Sequence, residues 1–335
     1  MQVKDRVLEA LEGHRGTYFS GEALAKELQV SRNAVWKAIR QLRDQGYPIH
    51  AVSNRGYSLA PDSAMLSPQS IAPFLTVPGL QVEVQPVVTS TNQVLRQRAE
   101  EGAHEGLALV AVTQTAGRGR RDHSFFSPPD SGLYLSFLLR PDLSARDALS
   151  LTTCAAASVA LAIEECAGVD AKIKWVNDVF CHGKKVCGIL TEAALDLETG
   201  GLQYAIVGIG VNLFPPKGGF PPELPEAGAV FPTRPQGLEG RSQLAGSILN
   251  HFFSFYPHLK DKPFFADYRR RSLVLGQEIT VLEGGQTRTA FALDLERYFS
   301  LGSGKPTAPS IPYPLGRFGS GRLMVEFTHF LRFFP

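Results

Sequence analysis

The apolar residues of the first sixty positions change their period once, and that change limits what this stretch can fold into. Val3, Val7, Leu8 and Leu11 recur at helical spacing, and Leu24 and Leu28 mark a second short helix behind Ser20. Val35, Ile39 and Leu42 line one side of a third helix, from Ser31 to about Asp44. Ser20 and Ser31 suit N-caps and Gly46 suits a helix stop. From Tyr47 to Leu59 the spacing becomes alternate residues around Asn54-Arg55-Gly56, a hairpin signal. Helix, helix, turn, helix, hairpin is the order of a winged helix-turn-helix. Off its apolar stripe the third helix carries Arg32, Asn33, Trp36, Lys37 and Arg40, with four basic residues and no acid between Arg32 and Arg43. With Ser31 at its start and Arg55 in the hairpin, these are candidate DNA contacts, because a phosphate-lined groove favours such a face. The alternative is a solvated basic helix of a bundle.

With 335 residues the chain exceeds what one core usually holds, so two or three domains are expected. Hydrophobic residues make up 44% and charged residues 20%, which excludes disordered and fibrous classes. The formal charge is only +2, so attraction to nucleic acid has to come from a local patch. The longest apolar stretch, Cys154 to Ile163, is short and rich in Ala and Ser for a membrane span, and no membrane partner is expected. Lys4, Asp5, Arg6, Glu9 and Glu12 exclude the apolar centre of a signal peptide. Cys154, Cys166, Cys181 and Cys187 have no metal-ligand spacing, read as reduced thiols, and make a cytoplasmic location the default expectation.

Pro61 to Pro78 reads as a linker, after which strands and helices alternate to about residue 270. The expected strands are Leu107–Thr113, Leu133–Leu139, Lys172–Trp175, Val186–Glu192 and Tyr204–Leu213, with helices after Thr89-Ser90, over Arg146–Cys166 and over Ser242–Tyr256. That is a mixed α/β domain. Two short alternating runs around Glu283-Gly284-Gly285 suggest a small β-barrel.

Four clusters in the central domain carry chemistry. Ser90-Thr91-Asn92-Gln93 can cap a helix or bind a neutral polar group such as a urea. Gln114-Thr115-Ala116-Gly117-Arg118-Gly119-Arg120-Arg121 pairs a pliant backbone with strong positive charge, a clamp for phosphate or carboxylate, or else a basic surface loop. Lys174-Trp175-Val176-Asn177-Asp178 ends a strand with oxygens suited to Mg²⁺ or a hydroxyl-rich ligand. Seven residues later Lys185 enters an apolar strand, where its ammonium needs an anionic partner that a phosphate or carboxylate ligand would supply. Gly208-Ile209-Gly210-Val211-Asn212 is a strand that a ligand can approach closely, or a tightly packed central strand.

In this order and spacing, over about residues 85 to 215, the clusters resemble the biotin protein ligase family. With residues 1–60 included, the chain resembles its two-function members, in which a biotin operon repressor is also the ligase. The resemblance implies ATP and Mg²⁺ as co-substrate and metal, biotin as substrate, a biotin carboxyl carrier domain as acceptor, operator DNA and a homodimer. It implies that Ser90, Thr91, Asn92 and Gln114 hold the biotin ring, and that Arg118, Gly119 and Arg120 form a closing loop. Lys185 then stands at the reacting carboxylate and phosphate. Arg121, Asn177, Asp178 and Asn212 fall on the nucleotide side, with Asp178 next to the metal. Lys185, Arg118 and Arg120 are the expected catalytic residues.

Several positions depart from the family pattern. Asp122 and His123 stand where the family has Gly and a basic residue, Phe125 where it has Trp, and Val176 where it has Pro. The family also ends in an SH3-like barrel, which residues 276–293 resemble. From about Asp294 the chain is Gly-, Pro-, Ser- and Phe-rich, no alternating strands are expected, and the end reads as the product of a frame change. The expected organisation is therefore a winged helix-turn-helix at 1–62, a mixed α/β ligase core at 63–272, and an incomplete C-terminal barrel at 273–335. The rival readings are a lipoate or octanoate ligase and a non-catalytic small-molecule-sensing regulator.

Overall fold

A computed structural model describes residues 2–120, 123–196, 198, 200–234, 240–283, 286–295, 301–304, 323–326 and 332–334. The chain divides into two compact units, Met1–Thr76 with Arg234–Gly246, and Val77–Thr233 with Ser247–Pro335.

In the first unit, helices α1 (Val3–Glu12), α2 (Gly21–Glu27) and α3 (Arg32–Asp44) pack Val7, Leu8, Leu11, Leu24, Val35, Ile39 and Leu42 into one core. Ser20 accepts from the Ala23 N–H and Ser31 from the Ala34 N–H, so both expected caps form. Strands β1 (Ile49–Val52) and β2 (Gly56–Leu59) pair antiparallel from Ile49↔Leu59 to Val52↔Gly56. Gly56 makes this turn at φ +99°, where an added Cβ would lie 1.9 Å from the Phe19 carbonyl oxygen. The stretch expected to be a linker contains α4 (Pro68–Ile71), started by a reciprocal Ser67–Ser70 capping box with proline in the first turn.

The second unit is built on an eight-stranded sheet ordered β3-β4-β5-β9-β8-β7-β6, with β14 also paired to β8. Its strands are β3 (Gln81–Val88), β4 (Leu107–Gln114), β5 (Gly132–Leu139), β6 (Lys172–Lys174), β7 (Asp178–Cys181), β8 (Lys184–Leu195), β9 (Leu202–Asn212) and β14 (Arg332–Phe334). β4, β5, β9, β8, β7 and β6 run antiparallel to their neighbours, while β3 joins β4 in parallel.

Alternation sends the side chains of β5, β8 and β9 to two faces. On one, Thr191 bonds Thr152 of α6 (Leu149–Ala167), which is buried continuously from Ser150 to Ala160 as a core helix is. By length and hydropathy α6 could cross a bilayer, and it extends well past the stretch expected to be too short. Phe137 on the same face packs against Phe252 of α7 (Arg241–Phe255), the rings tilted at 54°. The other face receives α5 (Thr91–Glu100), whose Leu95 and Ala99 pack on Leu109, Leu138, Tyr204 and Ile206. α8 (Phe265–Arg270) closes the far edge, where Ile173 donates to the Arg271 carbonyl.

Beyond α8, β10 (Glu278–Glu283) and β11 (Gln286–Leu295) form the expected pair of runs. Contrary to the expectation of no strands after Asp294, β12 (Leu301–Gly304) pairs with β11 and β13 (Leu323–Glu326) with β10. β14 pairs with β8 at Glu192, Ala193 and Ala194, past the Lys184–Gly188 stretch that β7 covers.

Candidate functional site: a cationic cleft on the sheet face

Two rows of residues on the α5 face make the floor of a cleft of about 590 Å³. Ser136, Gly208 and Leu190 lie abreast in register, as do Tyr134, Gly210 and Gly188. The glycines are required by what lies over them. A Cβ on Gly208 would fall 2.1 Å from Asn92 Oδ1, and one on Gly210 would fall 2.4 Å from the Phe125 ring.

One end of the cleft is neutral and polar. Gln114 Oε1 accepts from the Thr91 N–H at 2.9 Å and lies 3.1 Å from its hydroxyl oxygen, while Gln114 Nε2 donates to Ser127 Oγ at 2.9 Å. Asn92 donates to Glu192 at 2.8 Å. Ser90 occupies the N-cap position of α5 and its side chain makes no capping bond, so of the two readings of this cluster capping by Ser90 is not realised.

The other end is cationic. Lys185 Nζ donates to Asp178 Oδ2 at 2.7 Å, Arg120 donates to Asn177 Oδ1 at 2.7 Å, and Arg118 lies 3.4 Å from Glu192. The anionic partner expected for Lys185 from a ligand is thus, here, Asp178 from the neighbouring strand. Asn177 also donates to the Ile189 carbonyl at 3.0 Å, which ties the end of β6 to β8. The arginine loop is folded by Gly119 N–H donating to the His123 carbonyl at 2.7 Å and Phe125 N–H to Gly117 at 2.9 Å. His123 and Phe125 therefore line the cleft, with Phe125 edge-on to Tyr134.

Of the residues expected at this site, Ser90, Thr91, Asn92, Gln114, Arg118, Gly119, Arg120, Asn177, Asp178 and Lys185 line one cleft. Asn212 is not among the lining residues; it ends β9 opposite Gly132, and its carbonyl accepts from Val230. Arg121 and Asp122 lie outside the described residues. Among the described residues no three His, Cys, Asp or Glu side chains gather to hold a metal. Asp178 is a single carboxylate, which fits a Mg²⁺ that arrives with nucleotide phosphates and not one held by the protein alone. Sequence reasoning missed Glu192 and Ser136. The available signal for Glu192 was the one that marks Lys185, a charge within an apolar strand.

In the first unit, Ser31, Arg32, Asn33, Trp36, Lys37, Arg40 and Arg55 are all exposed. Arg40 lies over the Trp36 ring at 5.8 Å and Arg55 over Tyr18 at 4.3 Å. They form a basic and aromatic surface along α3 and the hairpin turn.

Residues 84–212 match the biotin/lipoate A/B protein ligase family, and residues 4–58 match a helix-turn-helix domain. The bifunctional ligase/repressor BirA of Bacillus subtilis (strain 168) is 38% identical over 261 residues, which is 77% of this chain and 79% of that protein. The protein of the same description from Escherichia coli (strain K12) is 36% identical over 198 residues, 59% of this chain and 60% of that one. Among solved structures, the biotin protein ligase from Aquifex aeolicus in complex with biotin and ATP superposes with a TM-score of 0.53 at 29% identity, over 66% of this chain and 90% of the other. With a ligase core and a helix-turn-helix head matched in one chain, this protein belongs to the biotin protein ligase family, in its bifunctional ligase/repressor branch.

Proposed function

We infer that the chain joins biotin to ATP as biotinyl-5′-AMP, transfers the biotinyl group to a lysine of a biotin carboxyl carrier domain, and represses transcription in response to biotin. The observation that carries this reading is the cleft itself, with a neutral polar end and four cations, Arg118, Arg120, Lys174 and Lys185, within one cavity. In the first step an oxygen of the biotin carboxylate attacks the α-phosphorus of ATP and pyrophosphate leaves. Two anions must meet, so Arg118, Arg120 and Lys185 lower the repulsion and stabilise charge as it builds on the phosphoryl oxygens. Thr91, Asn92 and Gln114 orient the ring, and Phe125 walls the apolar side. Mg²⁺, when bound with ATP beside Asp178 and Asn177, supplies Lewis-acid neutralisation of the phosphates. In the second step the acceptor amine attacks the mixed anhydride and AMP leaves, so no protein nucleophile is needed. The anhydride reacts with water, and the Gly117–Arg120 loop is suited to covering it.

The domain limits at 62 and 272, a C-terminal SH3-like barrel, Arg121 and Asn212 on the nucleotide side, a homodimer and a cytoplasmic setting belong to the same proposal. The dimer is argued from one recognition helix per head, since useful affinity needs two heads on a palindromic site. Pyrophosphate release from ATP decides between the readings. A ligase of this kind releases it with biotin and not with lipoate or octanoate, whereas a non-catalytic sensor releases none.

A further inference from the structure

Glu192 takes no part in the steps above, yet its side chain is 1% exposed and lies beneath the neutral end of the cleft. Its Oε2 accepts from Asn92 Nδ2 at 2.8 Å. A carboxylate oxygen accepts, and an amide has one donating and one accepting end, so Glu192 turns the Asn92 amino group toward itself. Asn92 Oδ1 then faces Ser136 Oγ, which lies 2.7 Å from it and 2.6 Å from Thr91 Oγ1. Ser136 is fully buried and has one proton for these two neighbours. The amide oxygen cannot donate, so the Ser136 proton goes to Asn92, and the contact with Thr91 is filled by Thr91's proton. Thr91 Oγ1 keeps its lone pairs for the cleft. Gln114 Oε1, held by the Thr91 N–H at 2.9 Å, keeps one as well. With the amide turned over, oxygen would face carboxylate, and Thr91 would give its proton to Gln114 at 3.1 Å.

We propose that Glu192 is a positioning residue that sets the direction of this hydrogen-bond chain, so that Thr91 and Gln114 present acceptors to the N–H groups of a bound urea ring. The proposal rests on the reading of this cleft as a biotin site. Gly208 is part of the device, because a Cβ there would occupy the place of Asn92 Oδ1, 2.1 Å away.

The test measures biotin affinity by calorimetry, and the KM values for biotin and ATP by pyrophosphate release, on the full chain. Glu192→Ala, which also frees Arg118 from its contact at 3.4 Å, is expected to weaken biotin binding about tenfold or more and to raise the KM for biotin without raising that for ATP, as loss of a charged hydrogen bond on the biotin side does. Glu192→Gln, which can still turn an oxygen to Asn92, falls between that variant and the parent. A merely loosened fold would raise both KM values, and that result, or parent-like biotin affinity in Glu192→Ala, overturns the proposal. If the Glu192 variants do not fold, Ser136→Ala interrupts the chain at its other end and must show the same biotin-only loss. Parent-like affinity there also overturns it. A parent chain that binds no biotin removes the ligase reading itself, and this proposal with it.

Discussion

Each cation of the cleft starts from a contact with a protein acceptor: Lys185 with Asp178 at 2.7 Å, Arg120 with Asn177 at 2.7 Å, Arg118 with Glu192 at 3.4 Å and Lys174 with Glu226 at 3.8 Å. Two anionic substrates have to draw these groups across, and Lys185 is the one whose pairing lies nearest the expected metal. Lys185→Ala is expected to slow adenylate formation about 100-fold or more, read as pyrophosphate release at saturating biotin and ATP. A parent-like rate would remove Lys185 from the mechanism. Gly210→Ala places a Cβ 2.4 Å from the Phe125 ring, so the aromatic wall must shift. Biotin affinity should fall about tenfold, within the range seen for overpacked sites. Away from the chemistry, burial pushes the Cys181 thiol up to about 12 and the Cys166 thiol to about 11, each well above the range that gives thiolate at pH 8. Iodoacetamide at pH 8 should therefore leave the native thiols largely unlabelled and label all four after urea, as mass spectrometry would show; rapid native labelling of Cys181 would mean that the strand is not buried as described.

At the scale of elements, the segment that carries Trp175 to Asp178 is held from behind by α8. Tyr268, fully buried, donates to the Val176 carbonyl at 3.0 Å, and the Arg271 guanidinium donates to Glu164, Asp267 and the Ala171 carbonyl. The Arg271 hydrogen bond, opposed by burial, holds Glu164 below the usual carboxylate range. A carboxyl whose folded pKa lies below its unfolded value, about 4.3, adds stability above that pH and loses it as the pH falls through the folded value. Thermal melting should therefore show Arg271→Ala destabilised by about 2–3 kcal/mol near neutral pH, with the gap to the parent closing below about pH 4. An equal gap at both pH values would contradict this. Most elements were legible because their period is clean: Val35, Ile39 and Leu42 on α3, and the apolar run of β8. β3 was not foreseen, since Pro86 breaks its pairing with β4 and marks an edge strand. Of the candidate site, the charged and glycine motifs were readable one by one. The Arg120–Asn177 and Glu192–Asn92 contacts join residues 57 and 100 positions apart, and only the sheet register brings them together.

Across the whole molecule, one chain carries both a cleft suited to making an adenylate and a basic helix exposed for DNA. Arg32→Ala or Arg40→Ala should weaken operator binding and reduce its salt slope by about one unit if a phosphate contact is lost. Gel-shift titration should show binding that tightens when biotin and ATP are both present; binding indifferent to both would detach repression from the ligand. This one cavity, with its cations and its urea-binding end, is proposed to form a biotin adenylate. Mass spectrometry of the protein after incubation with biotin, ATP and Mg²⁺ tests it directly. Biotinyl-5′-AMP is expected to be retained by the parent chain and depleted in Lys185→Ala, and a parent chain carrying only unreacted biotin and ATP would refute adenylate formation in this cavity.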